Sequence, residues 1–565
     1  MRAGTGQQWW RKHNDERDTL PWKFNEGATR YLQELLTTEP LHVPVVDEDV
    51  DTVVDEEVDD RGTPGGHLEV YQLKCTLQDD EHVTSSALVL PPSTRGMWQA
   101  VLEATCTDLA RHRVLVIGTP GVGKSRSMNY FLKLVIDRRR QEHSAKLPLP
   151  VIVFEHRKDK VTWLFAPKDP NEQNSEYEAF SLHQQHFIQV VAAVRCATNY
   201  LLVDTSQAEN AKMPGLYPCN TVYVCSPDPR HYSEYRKHIS GNSYFFPHWR
   251  EGDILAAREY AMTPGKTLSE KEVRERMTVV GPIPRRVFAD NWDYVSFKRR
   301  VDNAMTNHQK DIEQVIRGGA YKIDLEGGHP DKPRSSVFMI GVMQGSDYRA
   351  PYPVFVSDYA RSKLGKNILT LVLTLADTHT FSDSLLGDEL WKLWEILVMQ
   401  VLNFGWEGQC EWLSRERGAK ERFPIKVKKR DVSSYESVAA EGKESIRNAM
   451  VRRMKCMDCF DISDPEKQNP LQPPVFVGGK FPLIDAAVAR NMGFDMTCGV
   501  SKQWKSKAAE KLLQDLGVKS MYVVYALPAS KYETFEVSGK TNAGKFHLLK
   551  VRITKKDIDN MFSEK

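Results

Sequence analysis

The stretch "RVLVIGTPGVGKSRSMNYFL", residues 113–132, decides the reading of this chain. Five residues rich in apolar side chains run into a glycine-rich turn that ends in Lys-Ser, and "SRSMNYFLKLVI" beyond it has the apolar spacing of a helix. The spacing Gly118-x-x-x-x-Gly123-Lys124-Ser125 is that of a phosphate loop. In such a loop Gly118, Thr119, Pro120, Gly121, Val122, Gly123, Lys124, Ser125 and Arg126 lie around nucleotide phosphates, all but Pro120 with a backbone N–H to offer, at the positive end of the following helix. Each residue type has a physical task. Gly118, Gly121 and Gly123 are expected to take positive φ and to let the backbone approach the phosphate oxygens. Lys124 neutralises the β/γ charge and the Ser125 hydroxyl ligates Mg²⁺, so ATP with Mg²⁺ is the expected ligand. A chance glycine turn of this form would arise in a chain this long with odds on the order of a few per cent. The buried-strand run before it and the helical run after it lower those odds.

The rest of the composition fits a large multidomain protein. A chain of 565 residues, 41% apolar, predicts about three or four domains with ordinary cores and excludes disordered and fibrous classes. With 77 Lys and Arg against 75 Asp and Glu the net charge is +2, so contact with nucleic acid must come from local patches. Nine cysteines include one isolated C-x-x-C, Cys456 and Cys459, with no second pair to complete a zinc site; reduced thiols are expected. "MRAGTGQQWWRKHNDERD" has no apolar leader core, and "LWKLWEILVMQVLNF" is charged and too short to span a bilayer, so neither secretion nor membrane insertion is expected.

Composition shifts divide the chain. Residues 1–45 form an aromatic and basic head whose Trp9, Trp10 and Trp22 either stack on bases or partners or pack inside a small module. Residues 46–66, "VDEDVDTVVDEEVDDRGTPGG", read as an acidic linker, and 67–110 as a β/α segment. Residues 111–300 form the nucleotide domain, 301–424 a helical lid region, and 433–565 a separate module.

A phosphate loop needs a second strand that ends in an acid able to hold the Mg²⁺ shell. "NYLLVDTSQ" supplies it in Asp204, at the carboxyl end of a strand, where α/β sheets place their ligands. "NTVYVCSPDPRHY" follows, with Ser226 and Asp228 where a γ-phosphate sensor would sit. The order strand, loop, helix, "PVIVFE", "YLLVD", "TVYVCS" predicts a parallel sheet. Fast ATPases usually place a water-polarising Glu after the acid, whereas Thr205 and Ser206 follow here; Glu155, ending "VIVFE", is the candidate substitute. Slow hydrolysis is therefore expected.

The phosphate loop, "CSPDPRHY", "FFPHW" and above all "RMTVVGPIPRRVF" resemble the retrotransposon hot spot proteins of trypanosomes, within the wider Crinkler-RHS group. The resemblance covers about Arg113 to Pro424, with "YPVFVSDYARSKL" and "LLGDELWKLWEILVMQVLNF" falling in the helical region after the ATPase. In related P-loop ATPases a G-x-x-P-R turn carries an arginine that reaches the nucleotide from the lid. The resemblance implies that role for Arg285 or Arg286, a surface ion pair being the alternative.

Beyond Ser433 the order helix, three strands, helix, strand resembles a restriction-endonuclease-like fold, which implies Asp485 and Asp495 as its acidic positions. Thr497 stands where that fold has its lysine, and Lys502 lies farther along, so the module is expected to be degenerate. Arg415 to Arg430 carries eight basic and two acidic residues, suited to phosphate contacts or nuclear import, and equally to a solvated linking face.

The fold class expected is α/β: a P-loop NTPase core on a parallel sheet, a helical region and a C-terminal nuclease-like module. Three functions stay open. One is a slow ATP-hydrolysing switch in a nuclear, transcription-linked, nucleic-acid-associated complex, reached through Arg415–Arg430 and the C-terminal module. The others are an NTPase-coupled nuclease of the Crinkler-RHS type and a non-catalytic interaction scaffold. The resemblance favours the nucleus over the cytoplasm; oligomerisation stays open.

Overall fold

The computed structural model describes residues 23–45, 67–74, 87–106, 112–142, 148–156, 161–183, 198–205, 219–227, 232–236, 239, 242–262, 266–307, 309, 312–313, 337–342, 347–378, 387–404, 406–413, 422–427, 475–476, 486–489, 492–496, 501–503, 506–538 and 546–563. They fall into two compact units. One gathers the described residues of 23–45, 67–297 and 337–357, the other those of 298–313 and 358–563.

In chain order, the first unit holds β1 (Lys23–Phe24), α1 (Glu26–Thr37), β2 (Leu41–Pro44), β3 (His67–Gln72), β4 (Ala87–Leu90), α2 (Pro92–Cys106), β5 (Arg113–Ile117) and α3 (Lys124–Gln141). There follow β6 (Ile152–His156), β7 (Val161–Pro167), β8 (Tyr177–His183), β9 (Tyr200–Thr205), β10 (Asn220–Cys225), β11 (Ser243–Phe245), α4 (Glu251–Ala257), α5 (Glu270–Val280) and α6 (Pro284–Val287). The hairpin β12 (Phe338–Val342) and β13 (Pro351–Phe355) completes it. Eight strands form one sheet in the order β1-β8-β7-β6-β9-β10-β5-β11. Its half from β6 to β11 is parallel, as the apolar runs predict, because strands buried on both faces read as continuous Val, Ile and Leu. The other half, β7, β8 and β1, is antiparallel.

Register sorts the side chains onto two faces. Leu115, Ile117, Val153, Leu201, Val203, Tyr223 and Cys225 share one core cluster with Tyr232, Tyr235 and Ile340. On the other face Phe131 of α3 meets Tyr200 edge-on, and Trp98 of α2 packs on Phe131 at 5.0 Å. Trp98 and Phe131 are fully buried, each worth roughly 1.5–3 kcal/mol of transfer free energy.

The second unit holds α7 (Asp358–Ser362), α8 (Lys366–Thr378), α9 (Gly387–Phe404), β14 (Glu407–Trp412), β15 (Arg422–Lys426), β16 (Val475–Phe476), β17 (Ala486–Ala489), β18 (Met492–Met496), β19 (Ser501–Gln503), α10 (Ser506–Leu516), β20 (Met521–Pro528), β21 (Glu536–Ser538), β22 (Phe546–Ile553) and α11 (Lys555–Ser563). Its seven-stranded sheet runs β15-β14-β22-β20-β18-β17-β16, parallel at β18, β20 and β22 and antiparallel on both flanks. Ala509, Leu512, Leu513 and Leu516 of α10 cover Met521, Val523, Tyr525 and Leu527 of β20.

Three boundaries differ from the sequence reading. Residues 23–45 of the expected head are not separate, since β1 edges the large sheet through β8, and the Thr29 hydroxyl of α1 accepts from the Ala179 N–H. The 301–424 region is not wholly helical: β12 and β13 belong to the first unit, while β14 and β15 extend the second unit's sheet. Arg422–Lys426 of the basic run is strand β15, whose ladder with β14 gave no local charge signal. Trp9, Trp10, Trp22, the acidic linker, the Cys456/Cys459 pair and most of the basic run lie outside the described residues. Among the described residues no helix is long and apolar enough to cross a membrane.

Candidate nucleotide site

Strand β5 delivers the chain to the carboxyl edge of the sheet, and the loop 118–123 turns it into α3. Gly121 (φ +92°) and Gly123 (φ +96°) are left-handed, a conformation that costs an L residue about 1–2 kcal/mol. Gly118 is not among the positive-φ residues, which corrects the expectation for that position. Its glycine is required by packing instead: a β-carbon there would lie 2.5 Å from Phe246 Cβ and 2.8 Å from Lys124 Cδ. Gly123 caps α3 with no side chain, which leaves the helix's first N–H groups to the loop concavity.

Lys124 is buried, and its Nζ donates to the carbonyls of Gly118 (2.6 Å) and Thr119 (2.8 Å). Burial pushes its pKa down to about 8, partly offset by the charge of Asp204 and by Cys225, while the guanidinium of Arg285 pushes the same way as burial. Two cations therefore converge on one loop, an arrangement that an anion between them relieves.

Arg285 reaches the loop through its backbone as well. Its N–H donates to Gly121 O at 3.3 Å, and its Cβ stands 3.2 Å from where a Gly121 β-carbon would be. The turn that presents it depends on Gly281 (φ +70°), whose β-carbon would meet Val356 O at 1.6 Å, and on Pro284 at the first position of α6. These loop contacts are made by Arg285; Arg286 is the next residue round the helix and bonds its N–H to Ile283 O.

Asp204, 3% exposed, is the penultimate residue of β9, in register with Val224 of β10 and His156 of β6. One strand, β10, separates it from β5. Thr205 is buried, with its hydroxyl donated to Val224 O at 3.1 Å. Glu155, also buried, is in register with Val203, so it lies on the face of Thr205 and opposite to Asp204. Ser226 follows Cys225, whose carbonyl accepts the Gly118 N–H at 3.2 Å; Asp228 lies outside the described residues.

Ser125 and Asp204 offer one hydroxyl and one carboxylate. That set fits Mg²⁺, which keeps most of its waters and takes phosphate oxygens for the rest. Among the described residues no cluster of three or more His, Cys, Asp or Glu could cage a metal.

Three loop contacts carry no sequence signature. Thr119 Oγ1 accepts from the Ile340 N–H at 2.9 Å, Trp249 Nε1 donates to Val122 O at 2.9 Å, and Trp98 Nε1 donates to Ser127 Oγ at 2.9 Å. All three join residues far apart in the chain, by 221, 127 and 29 positions.

In the second unit Asp495 is 2% exposed on β18, in register with Tyr525, then Lys550, then Glu411 across neighbouring strands. Lys550 is two strands away, about 10 Å by strand spacing, and its Nζ lies 3.7 Å from Glu411 Oε1 and donates to Tyr532 O. Lys502 stands on β19, which pairs with β21 in a different sheet. Asp485 and Thr497 lie outside the described residues.

Residues 115–316 match the family model for the P-loop domain of the retrotransposon hot spot protein. Comparisons with curated proteins and with solved structures gave no match. The glycine-lysine loop, the buried acid on β9 and this match converge on a P-loop domain over residues 115–316 that is similar to that of the retrotransposon hot spot protein.

Proposed function

We propose that this chain binds ATP with Mg²⁺ at Gly118–Ser125 and Asp204, and hydrolyses it slowly as a switch in a nuclear, nucleic-acid-associated complex. The convergence of Lys124 and Arg285 on the loop carries the nucleotide reading. On binding, Lys124 leaves the Gly118 and Thr119 carbonyls for the β/γ-phosphate oxygens, and Arg285 reaches the terminal phosphate from the α6 turn. Ser125 and Asp204 hold the Mg²⁺, which spreads the phosphate charge when bound. Slow hydrolysis rests on Thr205, whose hydroxyl is engaged with the backbone where a base is needed, and on Glu155, the expected substitute, lying on the opposite face of the sheet from Asp204. Titration of MgATP into wild type and Lys124→Ala tests the reading.

For the tail, the order of β16, β17, β18, β20 and β22, with β17 reversed, supports a nuclease-like fold. The pairing of Lys550 with Glu411, two strands or about 10 Å from Asp495, commits that lysine elsewhere and favours binding over cutting. Nuclear placement and a transcription-linked partner rest on the resemblance to the retrotransposon hot spot proteins, with the basic run Arg415–Arg430 suited to phosphate contacts or nuclear import and equally to a solvated linking face.

A further inference from the structure

The matched P-loop domain ends at residue 316, yet the loop's environment does not end there. The β12–β13 hairpin touches it from outside. The Ile340 N–H donates to Thr119 Oγ1, one residue into the loop. At the hairpin's base the Val356 N–H donates to Val337 O, and Ser357 Oγ donates to Val279 O at 2.8 Å. Val356 O lies against Gly281. From Gly281 the chain runs through Ile283 to Arg285, whose N–H returns to Gly121 O. The contacts therefore close a ring: Thr119, Ile340, the hairpin, Gly281, Arg285, Gly121.

We infer that this hairpin is a positioning element of the nucleotide site and that the site and the hairpin are coupled. The inference rests on the nucleotide reading above. Thr119 is a buried residue whose carbonyl accepts Lys124 and whose hydroxyl accepts Ile340, so the Lys124 movement that phosphate binding requires alters a residue the hairpin holds. Arg285 and Thr119 enter the site from the two ends of one clamp. Opening the hairpin releases both, and a nucleotide that needs both opposes the opening.

The test is hydrogen exchange on the full chain with and without MgATP, with binding measured in the same samples. If opening the hairpin disables the site, exchange at Ile340 slows by one plus the ratio of free ligand to Kd, about tenfold at ten times Kd. Thr119→Val keeps the shape and removes the acceptor. It should raise Kd about three- to tenfold, the worth of one neutral hydrogen bond, and abolish the slowing at Ile340 even when nucleotide saturates the site. Thr119→Ser should restore both, which a merely structural role does not require. Ser357→Ala, far from the phosphates, should weaken the slowing in the same direction. Nucleotide binding without any change at Ile340, or an equal change in Thr119→Val, overturns the coupling and leaves the nucleotide reading standing. A protein that binds no nucleotide overturns both.

Discussion

Raising the pH from 7 to 9 should weaken MgATP binding about tenfold, through Lys124. Its ammonium is held at a pKa of about 8, below the usual 10.5, chiefly by burial. Phosphate contact restores the charged form, so the ligand binds only the protonated lysine well. The apparent Kd then scales with one plus ten to the power of pH minus pKa. This factor is near unity at pH 7 and about eleven at pH 9. Binding at pH 8.5 should accordingly take up about three quarters of a proton, and almost none at pH 7. The sign for stability is opposite. Between about pH 8 and 10.5 the ligand-free unfolded chain keeps a proton that the folded chain has lost, so this site makes stability rise with pH, by at most about 3 kcal/mol. Isothermal titration calorimetry in two buffers of different ionisation enthalpy reads the proton uptake directly. Lys124→Arg keeps its charge throughout and should show a flat profile, at reduced affinity. A wild-type Kd unchanged from pH 7 to 9, or the same slope in Lys124→Arg, refutes the reasoning.

Gly121→Ala should lower stability by about 1–2 kcal/mol, from its left-handed φ and its contact with Ile283 and Arg285; thermal unfolding measures the shift in Tm. Phosphate release should be slow, because Thr205 offers no base, and Glu155→Gln should leave it unchanged, since Glu155 lies on the opposite face of the sheet from Asp204. Rates typical of motor ATPases, or a loss of hydrolysis in Glu155→Gln, contradict this. Incubated with supercoiled plasmid and Mg²⁺ or Mn²⁺, the full chain should retain the DNA on a gel without nicking it; nicking that disappears in Asp495→Ala contradicts the assignment of the tail.

The phosphate loop was legible because its signal is local: glycines at fixed spacing between an apolar run and a helical one. Strands β6, β9 and β10 were legible for a related reason, since burial on both faces leaves unbroken runs such as "YLLVD". The antiparallel half escaped notice. β7 and β8 mix Trp163, Thr162 and Ser181 with apolar residues, a pattern without a clean period. The β12–β13 hairpin was absorbed into a helical region because neighbouring "DYARS" and "KNILTLVLTLADT" dominate the local pattern. The bond from Ile340 to Thr119 had no signal at all, since a backbone donor has the same chemistry in every non-proline residue. Gly118 was recognised for the wrong reason: its crowding by Phe246 comes from a segment over a hundred residues on.

In the proposed function Lys124 and Asp204 hold a Mg²⁺-nucleotide. Equilibrium titration of ATP, with and without Mg²⁺, measures this binding, read through Trp249 on the Val122 carbonyl. Lys124→Ala should lose a charge-assisted contact of about 1.5–3 kcal/mol, a ten- to more than hundredfold rise in Kd, and Asp204→Ala should erase the advantage Mg²⁺ gives. ATP affinity undiminished in Lys124→Ala contradicts the account.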